Sequence, residues 1–494
     1  MLPGELADLV RQVQEQRCET QLVELKASRN GCPKHLYDTL SSFSNQDEGG
    51  TIVFGIDEKA DFAVVGVYDA QDLQKHVVEQ CDQMCPPVRA VFTTVTLEEG
   101  TVVSAEIPGI DVSDRPCYYQ GKGRLRGSYV RVADADKPMT EYEIYSYEAF
   151  RKQYHDEVEP VPRATLASLD QNLINRYLTR IRSSKPNLAR LADDKILELM
   201  SVTRDGEVTL AGVMLFSLYP QAYFPQLSII ATVVPGTEAG VVDEQGNRFL
   251  DNKRIEGTLS EQLEGALAFV NANMRVPTHI DPSTGKRTDQ AEYPIEAVRE
   301  LVLNALIHRD YSSHTQGMPI QLLMYRDRLE IVNPGGLYGR LTVNDLGKVQ
   351  PDTRNPVIAT IMEALGETEN RYSGIPTVRR LLDEAGMPEP LFESFRGQFL
   401  ATLRNDRSSR PRGIDVRPDL ELADTQRKIA LFCAGEPRSR QEIAELVGVQ
   451  APYVMRRYVK PMVEAGLLEL TLPDTPRSSY QRYTTPERFI SRRS

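Results

Sequence analysis

The feature that most constrains the fold is an apolar segment with a polar residue at every fourth position. Within AVRELVLNALIHRDY, the polar residues Glu300, Asn304 and His308 are spaced four residues apart. On an α-helix this spacing places all three on one face, and the intervening apolar residues have to pack against other elements. The polar stripe is therefore either a solvent-exposed face or the wall of a pocket, and the spacing leaves both readings open.

Length and composition favour a multidomain protein of the soluble class. A chain of 494 residues predicts about three domains, and 26% charged with 40% hydrophobic residues is ordinary for globular proteins. There is no run of about 18 apolar residues and no signal-peptide pattern, so we expect no membrane span. Six scattered cysteines without a CxxC pair favour a reducing, cytoplasmic setting over disulfides or a zinc site.

A second informative segment, ETQLVELK, reads as a short strand that carries ionisable side chains. On a strand Glu24 and Lys26 share one face, whereas Glu19 has the opposite parity. Only the turn at Thr20–Gln21 can bring Glu19 alongside Glu24. The alternative without a functional role is an exposed Glu24–Lys26 salt bridge, a kind of pair that is common and contributes little stability.

A third carboxylate follows the next predicted strand. GGTIVFGID ends in Asp57, with Glu58 directly after it. Converging carboxylates could hold a divalent cation, and a nearby lysine could neutralise a phosphate or a developing charge. This combination is what metal-dependent phosphodiester hydrolysis requires.

ETQLVELK, SSFSNQDEGGTIVFGIDEK and AVVGV together resemble the Schlafen-type, AlbA-like (divergent AAA) nucleic-acid domain over residues 15–70, with similarity to about 150. The resemblance implies a metal-dependent RNA-cleaving site. The catalytic and metal-binding roles would fall to Glu19, Glu24 and Asp57, with Lys26 as a further catalytic residue, Glu58 as the alternative to Asp57, and Mg²⁺ or Mn²⁺ as the cofactor. Many relatives keep the glutamates and are regarded as regulators, so binding without cleavage is the alternative.

A basic stretch with interleaved aromatics, PCYYQGKGRLRGSYVRV, lies later in the same region. Such side chains suit phosphate contact and base stacking. We predict nucleic-acid contacts by Lys122, Arg124, Arg126 and Arg131, with Arg124 and Arg126 on one face of a strand. The alternative is a β-hairpin with a solvated basic face.

The ExxxN helix followed by RLEIVNPGGL resembles the GHKL-type ATPase fold, in the variant attached to Schlafen-type domains, over roughly residues 200–404. The resemblance implies ATP binding, with Asn304 coordinating Mg²⁺ and Glu300 activating water. Asn333 stands where an aspartate usually reads the adenine amino group. The remaining expected nucleotide-contacting residues are Gly335, Gly336 and Gly374. The single glycine of the later loop favours nucleotide binding over fast hydrolysis.

The tail from about Ala423 resembles a winged helix. Asp424 to Ser494 contains 12 Lys/Arg against 8 Asp/Glu, a local balance of +4 on a chain whose net charge is −12. A second helix would present Arg456, Arg457 and Lys460 to nucleic acid, and Pro461 could bend that helix. The basic wing residues would be Arg477 and Arg482. A protein-interaction or dimer module is the alternative.

The sequence thus predicts an α/β (α+β) multidomain protein. The expected divisions are a Schlafen/AlbA-like domain at 1–155, a GHKL-like α/β sandwich at 160–404 with its preceding segment, a linker at 405–422 and a winged helix at 423–494. The predicted function is ATP-binding action on RNA or DNA with a metal-dependent nuclease site, in defence or stress. The alternative is a nucleotide-sensing, DNA-binding transcriptional regulator without nuclease activity. A homodimer is expected.

Overall fold

The N-terminal region is built on one four-stranded sheet. In chain order its helices and strands are α1 (Pro3–Gln16), β1 (Val23–Lys26), α2 (Tyr37–Ser44), β2 (Gly50–Phe54), β3 (Ile56–Asp57), β4 (Ala63–Val64), α3 (Ala70–Asp82), β5 (Met84–Cys85), β6 (Val91–Thr96), β7 (Thr101–Ile107), β8 (Tyr118–Tyr119), α4 (Gly123–Gly127), β9 (Tyr129–Val132), β10 (Ala135–Pro138) and α5 (Glu141–Lys152). The sheet order is β1–β2–β7–β6, with β1 parallel to β2 and the other pairs antiparallel.

Strand β1 follows the predicted alternation. Val23 and Leu25 are buried in a small core with Leu6 and Val10 of α1. Side chains on a strand alternate between faces, so Glu24 and Lys26 project to the other side, where their side chains meet.

The turn before β2 depends on a glycine. Gly49 has φ +67°, and a Cβ there would lie 2.1 Å from the carbonyl oxygen of Ile107. No side chain fits this approach, so the glycine lets β2 pair closely with β7.

The middle region contains a six-stranded sheet covered by helices. Its elements are α6 (Gln171–Ser184), α7 (Asp193–Leu199), β11 (Thr203–Arg204), β12 (Glu207–Val208), α8 (Leu210–Phe216), β13 (Ile229–Val233), β14 (Asp251–Ile255), α9 (Leu259–Asn273), β15 (Thr278–Ile280), β16 (Arg287–Asp289), α10 (Ile295–His308), β17 (Ile320–Met324), β18 (Arg328–Pro334), α11 (Pro356–Leu365), α12 (Gly374–Glu384), β19 (Leu391–Phe395) and β20 (Gln398–Arg404). The sheet order is β14–β13–β17–β18–β20–β19. The apolar side of α10 packs into the large core of this region.

The segment HDEVEPVPRAT, predicted from its prolines and acids to be a linker, is packed against the middle region. Glu157 is fully buried, and its two carboxylate oxygens accept hydrogen bonds from Val357 N (2.8 Å) and Ile358 N (2.7 Å) at the start of α11. Burial raises the pKa of Glu157 to about 7. Nearby, the Tyr142 hydroxyl on α5 donates to Asp310 Oδ2 at 2.7 Å. The linker prediction was wrong because buried contacts, which composition does not record, fix this segment.

The C-terminal region combines short helices with small sheets. Its elements are β21 (Ile414–Val416), α13 (Asp424–Gly435), β22 (Arg438–Ser439), α14 (Arg440–Val447), α15 (Ala451–Val454), α16 (Lys460–Glu464), β23 (Glu469–Leu470), β24 (Arg482–Thr484) and β25 (Ile490–Arg492). A π-helical turn, Met455–Val459, joins α15 to α16, whose second residue is Pro461. Within the predicted 405–422 linker, β21 pairs with β25. The winged-helix assignment stays a prediction.

This computed structural model describes residues 1–276, 278–280, 287–289, 291–368, 374–395, 397–405, 414–417, 422–435, 437–447, 449, 451–471 and 481–492. Arg477 of the predicted wing lies outside them. The mixed α/β multidomain class predicted from the sequence is confirmed. Across the described ranges, no helix is both long and apolar enough to cross a membrane.

Candidate functional site

The carboxylate of Glu24 lies buried between two cations. Its Oε2 is 2.8 Å from the Arg131 guanidinium, and its Oε1 accepts a hydrogen bond from Lys26 Nζ. Glu24 is 8% exposed, so this is a partly buried ion-pair network rather than the exposed salt bridge considered from the sequence. We call Glu19, Glu24, Lys26, Arg131 and Asp136 the Arg131 cluster.

Glu19 reaches the cluster from the turn that precedes β1. Val23 N donates to the Thr20 carbonyl at 3.2 Å and closes this turn. Glu19 Oε1 then accepts from Leu25 N at 2.8 Å, and its Oε2 lies 4.0 Å from the Arg131 guanidinium. The pKa of Glu19 is raised, chiefly by burial and further by the charges of Glu24 and Glu58.

Arg131 is an internal residue, which corrects the prediction that it contacts nucleic acid. Its side chain is 1% exposed, pairs with Asp136 at 2.9 Å as well as with Glu24, and lies over the Phe43 ring at 5.1 Å. The segment RVADAD, in which an aspartate follows the arginine by five residues, could have indicated that Arg131 is paired within the chain. This segment forms a tight hairpin in which Asp136 on β10 stands opposite Arg131 on β9.

Asp57 has a local structural contact. Its carboxylate caps the turn Glu58–Ala60 by accepting from Lys59 N at 3.0 Å. The charge of Glu58 makes a small contribution to the raised pKa of Glu19. In the part of the chain that the structure describes, no group of three His, Cys, Asp or Glu side chains is placed to hold a metal ion.

The basic stretch folds differently from the predicted strand. Residues Gly123–Gly127 form the short helix α4, so Arg124 and Arg126 do not share a strand face. Arg124 pairs with Glu148 and lies over the Tyr118 ring. Lys122 donates to the Tyr129 hydroxyl at 2.9 Å, and both Lys122 and Arg126 are exposed. Both side chains lie on the surface and are accessible to a phosphate group.

The polar stripe of α10 lines a cavity. Glu300, Asn304 and His308 all border a space of about 540 Å³ between α10, the sheet and the start of α12. This volume lies in the range of small-molecule sites. We call it the α10 cavity, and it decides between the two readings of the stripe.

The floor of the α10 cavity is formed by two paired strands. Ile331 and Asn333 on β18 stand opposite Ala401 and Phe399 on β20, and all four residues border the cavity. Asn333 is 4% exposed, and its Oδ1 is buried without a hydrogen-bond partner among the described residues. A buried acceptor left unpaired is costly, and this one belongs to a side chain that borders the cavity.

The start of α12 lies against the polar stripe. A Cβ added to Gly374 would be 3.1 Å from Asn304 Nδ2 and 3.1 Å from Glu300 Oε2. The 11-residue helix therefore begins beside these two side chains, and the N-terminus of a helix favours an anion. The loop just before it, 369–373, lies outside the described residues.

The glycine turn after β18 is fixed by residues that the sequence reading missed. Gly335 has φ +103°, and a Cβ there would overlap Asp310 and Arg354. Arg354 pairs with Asp310 at 3.0 Å and donates to the Gly336 carbonyl at 3.1 Å. The motifs HRDY and TRNP carry these two residues, and both could have been singled out as charged residues next to apolar helices.

His308 is held neutral at the cavity wall. Burial, with a smaller effect of the Arg354 charge, lowers its pKa to about 4. An uncharged imidazole beside the cavity can donate or accept one hydrogen bond per ring nitrogen without adding charge.

The predicted recognition residues of the tail are accessible. Arg456 and Arg457 lie on the π-helical turn, Lys460 begins α16, and all three are exposed. Lys460 Nζ is 3.9 Å from Glu464 on the same helix, a weak surface pair.

Comparison with known families matches both predicted resemblances. Residues 19–140 match the family model described as Schlafen, AlbA_2. Residues 317–403 match the HATPase_c_4 model, described as putative ATP-dependent DNA helicase recG C-terminal. The chain joins a Schlafen-type domain to an ATPase-type domain. The second match includes Asn333, Gly335, Gly336 and Gly374 but begins after α10.

Two further family models match shorter parts. Residues 429–485 match the C-terminal domain of Fic-like proteins, filamentation induced by cAMP, and residues 147–230 match a domain of unknown function, DUF8451. The latter covers the end of α5, the packed segment that follows it and the first part of the middle region.

Two solved structures are similar over different lengths. The DIP2311 protein from Corynebacterium diphtheriae is 18% identical, covering 98% of this chain and 97% of its own, with a TM-score of 0.40. The N-terminal domain of a putative ATP-dependent DNA helicase RecG-related protein from Nitrosomonas europaea is 22% identical. It covers 27% of this chain and 92% of its own, with a TM-score of 0.22. No curated protein matches the chain.

Proposed function

We propose that the chain binds ATP in the α10 cavity. The observation that carries this proposal is the polar stripe of Glu300, Asn304 and His308, which lines the cavity beside the start of α12. Asn333, on the cavity floor, would contact the adenine amino group. The similarity of residues 317–403 to an ATPase-type domain supports the same ligand. The triphosphate would extend toward Asn304, Glu300 and the N-terminus of α12.

The residues beside α12 fit a magnesium ion. Mg²⁺ is commonly held by one or two protein oxygen ligands together with substrate phosphates, and Asn304 and Glu300 offer such oxygens at the cavity wall. Bound Mg²⁺ would neutralise phosphate charge. Gly374 lets the α12 backbone approach the phosphates closely, and its neighbours Asn304 and Glu300 set their position.

Nucleotide-dependent stabilisation tests the ATP proposal. A ligand present at 100 times its Kd stabilises the folded state by about 2.7 kcal/mol, which shifts the thermal unfolding midpoint. With Mg²⁺ and ATP, the wild type and the control Asn175→Ala, on the exposed side of α6, should shift equally. Asn304→Ala should lose the shift. An undiminished shift in Asn304→Ala would remove the assignment of the cavity.

We further propose that the N-terminal region contacts RNA or DNA without cleaving it, which is the regulator alternative. The carboxylates do not fit a metal ion as they stand, because both Glu24 oxygens are taken by Lys26 and Arg131 and one Glu19 oxygen by Leu25 N. Exposed Lys122 and Arg126 supply positive charge for the phosphate backbone, and Arg456 and Arg457 supply more in the tail.

Labelled tRNA and single-stranded DNA, each with Mn²⁺ or with EDTA, test this second proposal. Binding should weaken steeply as salt rises, and the substrate should stay intact. Metal-dependent fragments that vanish in Glu24→Ala would contradict it and restore the nuclease reading. The homodimer and the defence or stress role stay predictions.

A further inference from the structure

We propose that Tyr142, on α5 of the N-terminal region, is a positioning residue for the α10 cavity and raises its affinity for nucleotide through Asp310 and Arg354. The inference rests on the proposed nucleotide binding and adds a determinant of affinity from outside the ATPase-type part of the chain. Tyr142 and Asp310 both precede residues 317–403, which match the ATPase-type family model.

A chain of buried polar contacts runs from α5 to the wall of the cavity. The Tyr142 hydroxyl donates to Asp310 Oδ2 at 2.7 Å, and the same oxygen lies 3.0 Å from Arg354 Nη1. Arg354 Nη2 in turn donates to the carbonyl of Gly336, which borders the cavity, at 3.1 Å. Asp310 and Arg354 are only 3% and 7% exposed, so water competes little for these contacts.

The glycine turn lies directly against this ion pair. Gly335 also borders the cavity, and a Cβ there would lie 2.5 Å from Arg354 Nη1 and 2.6 Å from Asp310 Cβ. Its N–H donates to the Gly397 carbonyl at 2.7 Å. The backbone of the turn is thus held between the ion pair and the connection from β19 to β20. Because the packing leaves so little space, a shift of the ion pair has to move the turn or open a gap beside it.

Tyr142 contacts both of these supports. Its hydroxyl holds Asp310, and its ring lies against Gly397, where a Cβ would be 2.5 Å from Tyr142 Cε1. Phe150, further along α5, packs edge-on against the ring of Tyr338, another residue that borders the cavity, with the ring centres 5.4 Å apart. Helix α5 therefore forms an outer layer behind the cavity wall.

The Tyr142 hydroxyl helps to keep Asp310 charged. Burial acts to raise the pKa of Asp310, but the charge of Arg354 and hydrogen bonds from Tyr142 and Ser312 outweigh it and lower the pKa. An ionised Asp310 holds the guanidinium that supports Gly336. Loss of the Tyr142 hydroxyl leaves a buried acceptor without its donor and loosens this ion pair. Nucleotide binding then has to order the turn, at a cost in affinity.

Equilibrium binding of the full chain to the magnesium complex of a non-hydrolysable ATP analogue tests the inference. Tyr142→Phe removes the hydroxyl and keeps the ring on Gly397. We expect its Kd to rise about tenfold, the lower end of the effect of losing an outer hydrogen-bond partner at metal sites. Tyr145→Phe, the matched control, removes from the same helix a hydroxyl that donates to Asp156 at 2.7 Å. Its Kd should stay within about twofold of the wild-type value. A role confined to folding would lower the unfolding midpoint of both variants and leave both Kd values unchanged.

A double variant shows whether Tyr142 acts through Asp310. Asp310→Asn should raise the Kd at least about tenfold, because the buried guanidinium loses its anion. Residues that act in one chain of contacts have non-additive effects, so Tyr142→Phe combined with Asp310→Asn should bind no more weakly than Asp310→Asn alone. A Kd increase equal to the product of the two single effects would overturn the path through Asp310.

The outcomes separate the inference from the proposed function. If the wild type binds the analogue and Tyr142→Phe binds it as tightly, the inference is overturned and ATP binding stands. If the wild type does not bind the analogue, the proposed function fails and the inference fails with it. If Tyr142→Phe folds poorly, as its unfolding midpoint without ligand would reveal, Asp310→Asn carries the test, and wild-type affinity in that variant overturns the inference.

Discussion

The Arg131 cluster and the floor of the α10 cavity differ in how their polar groups are satisfied. In the cluster, Glu24 and Asp136 both pair with one guanidinium that is 1% exposed. On the cavity floor, Asn333 keeps a buried oxygen without a partner among the described residues. Among the described residues each region leaves one buried polar atom unpaired, Arg131 Nε in the cluster and Asn333 Oδ1 on the floor, but in the cluster the opposite charges both lie within the chain.

The comparison shows that a cluster of charged side chains can have a structural role without binding a ligand. Neighbouring carboxylates resemble a metal site in the sequence, yet an internal cation can neutralise them as well as a metal does. A buried ion pair contributes little net stability but becomes very costly when one partner is removed. An unpaired buried acceptor costs stability without a compensating contact inside the chain.

Removing the internal cation should produce the largest effect. Arg131→Met leaves Glu24 and Asp136 buried without their partner, so we expect a loss of about 3–5 kcal/mol in the free energy of unfolding of the N-terminal region. Urea denaturation monitored by tyrosine fluorescence of the full chain measures this loss. Arg126→Met, at an exposed position of α4, serves as the control and should change stability by less than about 0.5 kcal/mol. Equal stability of the two variants would mean that Arg131 does not hold the carboxylates.

Blocking the approach of α12 should remove ligand binding while leaving the fold intact. Gly374→Leu places side-chain atoms against Asn304 and Glu300, where even a Cβ is only 3.1 Å away. We expect ATP affinity to fall at least tenfold, or about 1.4 kcal/mol, in isothermal titration calorimetry. Gly317→Leu is the matched control, since a Cβ there has no neighbour within 4 Å. Wild-type affinity in Gly374→Leu would place the ligand elsewhere.

Acid should lower the stability of the folded chain through His308, by an amount similar to the binding loss expected for Gly374→Leu. Its pKa is about 4 in the folded chain against 6.5 in the unfolded chain, so the unfolded state takes up the proton first. The contribution is complete above pH 6.5 and is lost as the pH falls from 6.5 through 4. Linkage gives a loss of about 1–2 kcal/mol between pH 7 and pH 5. His308→Phe should lose less stability over this interval, and identical pH profiles would show that His308 is not held neutral.

Local patterns predicted much of both regions. Strand parity placed Glu24 and Lys26 together, the turn at Thr20–Gln21 accounted for Glu19, and the four-residue spacing of α10 marked a stripe that lines a cavity. The residues at these positions interact with neighbours close in sequence, and periodicity describes such neighbours well.

Contacts between residues that are distant in the sequence were not predicted. Arg131 meets Glu24, which lies over 100 residues earlier, and its exposed or buried state depends on that contact. Arg354 and Asp310 support the glycine turn from separate loops. A basic residue among aromatics has the same local pattern on a nucleic-acid surface and in a buried ion pair, so the sequence alone could not separate the two.

The capping of α11 by Glu157 affects where the polypeptide can be divided. A fragment that starts at residue 160, the boundary expected from the sequence, would lack the carboxylate that accepts Val357 N and Ile358 N. It would also lack Tyr142, one of the hydrogen-bond donors to Asp310. Residues before position 160 thus stabilise the ATPase-type region through these contacts. Expressing the two regions as separate fragments divided at this position would remove the contacts.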